Sequence, residues 1–290
     1  MILLKNLNKS FDKNVLNDIN VEIPDGSIVG LIGMNGTGKS TLLRLLSGIY
    51  DPDSGQIFYD GEDFVKNPTL KERIFFLSDD PNYKKSSSAY GLVLSYQRLY
   101  PNKYSFIGFM KYLTEFNIPV DKPLYAYSKG LRRQTFLAFA LALSPKYLYL
   151  DEAFDGVDPK ARILLKKELL RLQEKNNMTV IISSHSLREL TDICDSYLII
   201  NNGDAKLIND LSALGYHRYT MVFDKEMKEE DFDFSFASFK AEGKIINCIT
   251  GLDYDSMYLA IKHLNPKILE EQEMTFEEKV ITNIQDEVTE

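Results

Sequence analysis

A chain of 290 residues, 44% hydrophobic and 26% charged, holds enough apolar material for a sizeable core and suits one large domain or two. Its net charge of −8 at pH 7 excludes a general nucleic-acid binder, which needs basic surface against phosphate. Two cysteines, Cys194 and Cys248, give neither a disulfide framework nor a zinc spacing, and fit buried thiols in a reducing cytosol. The longest apolar runs, such as residues 136–143, are too short to span a bilayer. The first residues, Met-Ile-Leu-Leu-Lys, lack the basic and apolar regions of a signal peptide, so the chain is expected in the cytosol. A membrane role then calls for a separate membrane partner.

In chain order, residues 2–4 and 19–23 read as strands, with turns at 12–14 and 24–26. Phe11 sits on the loop between the strands, as a packing residue or as a stacking platform. Residues 28–32 form a short apolar run of strand length. Gly33-Met34-Asn35-Gly36-Thr37-Gly38-Lys39-Ser40-Thr41 follows, a glycine, four residues, then Gly-Lys-Ser. This is a phosphate loop in its proper place, after a strand and before a helix. Glycines let its backbone N–H groups turn inward, Lys39 can reach β- and γ-phosphates, and the Ser40 hydroxyl can take a magnesium ion. The helix over residues 41–46 points its positive end at the phosphates.

Residues 50–61 read as turn, strand, turn, and residues 73–77 as a buried strand. The polar loop after it holds Asp79 and Asp80, a solvated turn or a metal-facing pair. Residues 89–116 read as helical, interrupted at Pro101, with Tyr96, Tyr100 and Tyr104 at helical spacing. Ser128 is an N-cap candidate for a helix over residues 131–143. Four apolar residues, Tyr147-Leu148-Tyr149-Leu150, end in Asp151 and Glu152. Beside a phosphate loop, Asp151 can hold the magnesium shell and Glu152 can orient or deprotonate the attacking water. A turn at 153–159, an amphipathic helix over 160–175 and a buried strand over 178–184 follow. His185 emerges at the end of that strand, where ligands of α/β sheets sit. A helix over 187–193 and a strand with a turn over 196–204 complete this part.

In their order and spacing these motifs resemble the ATP-binding cassette (ABC) ATPases over residues 1–208. Residues 33–41 resemble the family's Walker A and residues 147–152 its Walker B, with the catalytic glutamate directly after the aspartate. Tyr127-Ser128-Lys129-Gly130-Leu131 resembles the signature, and Gly156-Val157-Asp158-Pro159 the D-loop. His185 matches the switch histidine, and Phe11 the aromatic that stacks on adenine. Asp79 stands where the family places the Q-loop glutamine. A carboxylate there can bind magnesium but cannot donate a hydrogen bond as an amide does.

The resemblance implies an α/β P-loop NTPase with a RecA-like core, an antiparallel β subdomain and a helical subdomain over about residues 81–125. It implies ATP and Mg2+ as cofactors, with Gly33, Asn35, Gly36, Thr37, Gly38, Lys39, Ser40 and Thr41 on the nucleotide. Ser40, Asp151 and Asp79 would hold the metal, and Lys39, Glu152 and His185 would carry catalysis. Ser128, Gly130 and Asp158 would face the nucleotide of a second ATPase subunit, identical or related, in a head-to-tail dimer closed by ATP. A separate transmembrane permease subunit is the other expected partner, no nucleic acid is expected, and the chain would work at the inner face of the cell membrane. Export is the expected direction, on the single-cassette layout and a degenerate terminal segment at residues 273–280. The alternatives are a soluble ABC-type ATPase and an ATP-gated binding protein. Residues 209–290 lie outside the cassette and read as a small α+β appendage, with strands at 219–223 and 244–249, a helix at 256–264 and an apolar face from Phe232, Phe234, Phe236 and Phe239. The appendage binds a regulator, helps the chain dimerise or serves as a packing extension with no ligand.

Overall fold

The protein is described from a computed structural model, which covers residues 1–84, 87–99, 106–184, 189–209, 215–275, 278 and 282. His185, Tyr100, Tyr104 and half of the terminal segment at 273–280 lie outside the described residues. The chain divides into two compact units, Met1–Asn209 and Asp210–Glu290.

The first unit contains two sheets. Strands β1 (Ile2–Ser10), β2 (Asn14–Ile23), β4 (Ser54–Tyr59) and β5 (Glu62–Asp63) form an antiparallel sheet in the order β2-β1-β4-β5. Ile2, Leu4, Leu16, Ile19, Val21 and Ile23 are buried from one face of it, the alternation of a half-covered sheet. The second sheet runs β10-β9-β3-β8-β7-β6. Its members are β3 (Ile28–Ile32), β6 (Ile74–Leu77), β7 (Tyr147–Leu150), β8 (Thr179–Ser183), β9 (Ser196–Asn201) and β10 (Asp204–Ile208). All pairs are parallel except the β9–β10 hairpin at the edge, which turns at Asn202 and Gly203, both left-handed. Every residue of β3, β7 and β8 is buried, as continuous apolar strands covered on both faces require. Helix α1 (Lys39–Leu46) sends Leu42, Leu43, Leu45 and Leu46 into one core shared by both sheets. The buried hydroxyls of Tyr59 and Tyr149 share a 2.6 Å hydrogen bond, and Tyr59 also donates to Leu46 O at 2.6 Å, so polar groups in this core are matched.

The helical stretch read over 89–116 with an interruption at Pro101 holds α2 (Ala89–Leu99) and α3 (Phe106–Glu115). They pack on α4 (Lys129–Leu143), where the buried Phe139 ring meets Phe75, Tyr96 and Phe109 with centroids 5.7, 4.1 and 5.8 Å away. Tyr96 is therefore a packing residue. The described part of the helix expected over 187–193 is instead a tight turn, in which Ile193 and Cys194 N–H both bond Leu190 O. The chain has no room to continue there, because Asp195 exchanges backbone and side-chain bonds with Ile28 to bring β9 beside β3. Helix α5 (Pro159–Asn176) lies between β7 and β8 in sequence.

The second unit is an antiparallel sheet in the order β12-β13-β11-β14, with β11 (His217–Val222), β12 (Ser238–Glu242), β13 (Ile245–Thr250) and β14 (Ile268–Gln272). Helix α6 (Tyr254–Ile261) buries Met257 and Ile261 with Tyr219, Met221, Ile246 and Cys248. The four phenylalanines expected to form an apolar face gather around Phe232 with ring centroids 5.3–5.9 Å away. Strands β12 and β14 are additions to the sequence expectation; most of their residues are exposed or half-exposed, so neither has a continuous apolar run.

Candidate functional site

In the parallel sheet β6, β7, β8 and β3 are neighbours, so their C-terminal ends open on one edge. That edge is where ligands bind in open α/β sheets. The chain continues there as Asp79 after β6, Asp151 and Glu152 after β7, Ser184 after β8 and Gly33 after β3.

The phosphate loop runs from β3 into α1. Gly38 is the N-cap of α1 with φ 110°, a conformation a side chain would oppose, and no side chain caps the helix. The first-turn N–H groups are left for a ligand. The Thr37 hydroxyl closes the loop on Met34 O at 2.9 Å. Lys39 is buried, and its Nζ donates to Gly33 O at 2.7 Å and Met34 O at 3.1 Å. Burial pushes the Lys39 ammonium below its usual pKa, while the charges of Glu152 and Asp151 pull it back up. Asn35, Gly36, Gly38, Lys39, Ser40 and Thr41 line a cavity of about 260 Å³ together with Val15 and Glu152. Phe11 stands on the β1–β2 turn, 56% exposed, with its ring edge-on to Tyr50 at 5.6 Å and Lys9 Nζ 5.4 Å from its centre. It is not among the residues lining that cavity.

Behind Glu152 lies a short relay. Asp151 is 2% exposed and accepts from the Ser183 hydroxyl at 2.7 Å; the same hydroxyl accepts from Glu152 N–H at 2.9 Å. Glu152 has φ 50°, a left-handed backbone that costs a residue with a Cβ about 1–3 kcal/mol. Its carbonyl accepts from Arg133 Nη1. Ser183 and Arg133 both escaped the sequence reading. The only signals were a hydroxyl closing an apolar strand and a cation where α4 turns inward.

Asp79, expected to face a metal, meets two cations at this edge. Its carboxylate and its carbonyl both accept from Arg133 Nη2, and Lys129 Nζ is 3.9 Å from the carboxylate. A carboxylate between two cations is held as their counter-ion, and Asp79 does not line the phosphate-loop cavity. Lys129 also binds Asp155 at 2.8 Å.

A second cavity of about 690 Å³ lies at the start of α4 and α5. Ser128, Gly130 and Asp158 all line it, with Gly156 between them in space. Ser128 is the N-cap of α4, accepting from Leu131 N–H at 3.1 Å, and Asp158 caps α5, accepting from Lys160 N–H at 2.9 Å. Position 130 admits only glycine, because a Cβ there would stand 2.0 Å from Gly156 O. Both helix N-termini therefore open on one cavity, and their dipoles favour an anion.

The model described as ABC transporter matches residues 16–155. Over 285 residues the chain is 28% identical to the ABC transporter ATP-binding protein YtrB of Bacillus subtilis, covering 97% of each. It is 33% identical over 224 residues to the probable sulfate/thiosulfate import ATP-binding protein CysA of Chlorella vulgaris, covering 74% of this chain and 94% of that one. Among solved structures, the ATP-binding subunit of an ABC transporter superposes with a TM-score of 0.65 at 25% identity, covering 73% of this chain and 91% of the other.

Proposed function

The chain belongs to the ATP-binding subunits of ABC transporters, ATPases of P-loop fold, and from that premise we propose that its hydrolysis is carried by Lys39, Asp151, Glu152 and His185 and drives export through separate membrane subunits. The observation that carries the catalytic part is the shared cavity of Lys39, Ser40 and Glu152, with Asp151 buried behind them.

The loop N–H groups and Lys39 bind and orient the β- and γ-phosphates, with Gly33, Asn35, Gly36, Thr37, Gly38 and Thr41 shaping the cradle. Magnesium fits the oxygen donors present. The Ser40 hydroxyl and the Asp151 carboxylate offer hard ligands. That suits a cation that takes one or two protein oxygens and completes its shell with phosphate and water. When bound, it neutralises charge on the phosphates. Glu152 accepts a proton from the attacking water at its carboxylate, and Ser183 keeps the Asp151 carboxylate turned to the site. His185 and Phe11 are assigned to the γ-phosphate and the adenine by motif alone. Asp79 drops out of the metal set, since Arg133 occupies its carboxylate.

Ser128, Gly130 and Asp158 are read as the half-site for ATP held by a second ATPase subunit. Their separate cavity, built on two helix N-termini, supports this. Separate transmembrane subunits and work at the inner membrane face are carried over from the family; no helix among the described residues is long and apolar enough to cross a membrane. Export rests on the single-cassette layout and the terminal segment at 273–280. The import protein CysA matches 74% of this chain, whereas YtrB matches 97% of it. Glu152→Gln tests the whole: it is expected to bind ATP, to dimerise only with ATP in size-exclusion chromatography, and to lose at least about a hundredfold in phosphate release. Wild-type turnover would remove Glu152 from its role, and an ATP-bound monomer would remove the dimer.

A further inference from the structure

The geometry points to Arg133 as a positioning residue for hydrolysis: its guanidinium, balanced by Asp79, fixes the main chain of Glu152 from helix α4. The inference rests on the reading of Glu152 as the base. It starts from how Glu152 is held. Its backbone is left-handed at φ 50°, so it stays there only if its surroundings insist on it. Its N–H is held by the Ser183 hydroxyl at the end of β8, and its carbonyl by Arg133 Nη1 from α4. Both backbone polar groups of one strained residue are thus fixed from two different elements.

Arg133 is 4% exposed, so its charge needs a partner. The other arm of the fork, Nη2, binds the Asp79 carbonyl and carboxylate. A planar fork makes these bonds in fixed directions from two nitrogens; an ammonium must reach all its acceptors from a single nitrogen on a flexible stem. Asp79 is therefore explained by what it neutralises. Lys129, in the signature itself, lies 3.9 Å from the same carboxylate and binds Asp155 in the turn after Glu152. Arg133 is not among the residues lining the phosphate-loop cavity, so its effect should fall on turnover and spare nucleotide binding. Helix α4 begins at Ser128 and Gly130, so any movement of that helix end reaches the Glu152 carbonyl through one side chain.

One consequence runs against expectation. Asp79→Gln, which restores the residue usual in the family, should lower turnover, because it strands the buried guanidinium without a counter-ion. The pair Asp79→Gln with Arg133→Gln removes both charges and leaves two amides that can bond each other, so it should recover part of what Asp79→Gln loses.

The test uses the full chain, assembled with its membrane subunits where turnover requires them. Steady-state phosphate release gives kcat and KM, and a fluorescent ATP analogue gives affinity. Arg133→Lys and Asp79→Gln should each lose about tenfold or more in kcat, with affinity within about twofold, since a small misplacement of a catalytic group is felt in the chemical step. The double variant should exceed Asp79→Gln. Arg133→Ala should lose most, and if it fails to fold the other variants carry the test. Wild-type kcat in Arg133→Lys and Asp79→Gln, or losses that multiply in the double variant, would overturn the inference. Glu152→Gln run alongside separates the two readings: wild-type turnover there removes the base, whereas loss there with wild-type turnover in Arg133→Lys removes only the positioning role.

Discussion

The two units handle polar groups around their sheets in different ways. In the parallel sheet of the first, β3, β7 and β8 are buried throughout and carry no charged residue, so charge gathers where these strands end. There the Lys39 ammonium feels the charges of Glu152 and Asp151, the Asp151 carboxylate is held by Ser183, and the Arg133 guanidinium holds the Glu152 carbonyl. In the second, one face of the sheet covers α6 and the other strand positions carry polar residues at the surface. His217 and Glu271, paired at 2.7 Å, lie partly in solvent. A sheet covered on both faces concentrates its chemistry at one edge, in low dielectric; a sheet covered on one face spreads it through water.

Substitutions can break or sharpen this contrast. After the losses expected at Glu152 and Arg133, the next largest effect on turnover belongs to Ser183→Ala. It removes the hydroxyl that accepts from Glu152 N–H and donates to the buried Asp151 carboxylate. We expect about a tenfold fall in kcat and a cost of about 1–3 kcal/mol in urea unfolding. Wild-type turnover would show that the buried relay is packing alone. Met257→Ala is the counterpart in the second unit. Removing this fully buried side chain should cost the unit about 2–5 kcal/mol, seen as earlier loss of amide-exchange protection in β11 and β13, while turnover per folded chain stays at the wild-type level. A matched fall in kcat would mean that the second unit feeds the site.

The smallest effect lies at the opposite edge of the first unit's sheet. Burial would raise the Asp60 carboxyl, but hydrogen bonds from Lys146, the N-terminal ammonium and Tyr147 hold it below its ordinary value of 3.8. A depressed carboxyl adds stability above that ordinary value and loses it as pH falls toward the folded one. Asp60→Asn should therefore unfold earlier in urea at neutral pH, with the gap to wild type closing below pH 3.8 and turnover untouched. A gap that stays constant with pH would assign Asp60 no titrating role.

Much of the fold was legible because its elements are local. Residues 28–32 are β3 as read, Tyr147–Leu150 is β7, and Ser128 caps α4, since a strand-length apolar run and a short polar cap announce themselves in a few residues. Strands β12 and β14 were not legible, because their place comes from pairing with β13 and β11 and little from their own composition.

The site divides along the same line. By itself the sequence determined the phosphate loop, the carboxylates after β7 and the start of α4, because each is a contiguous run whose chemistry depends on its own backbone. Only the tertiary structure decided what stands around them. Ser183 is joined to Asp151 across neighbouring strands and Arg133 to Asp79 across separate elements. Asp79, alone in the sequence, could turn to metal or solvent. Folded, it faces Arg133, because a buried guanidinium needs a negative partner and the loop after β6 brings this carboxylate within reach.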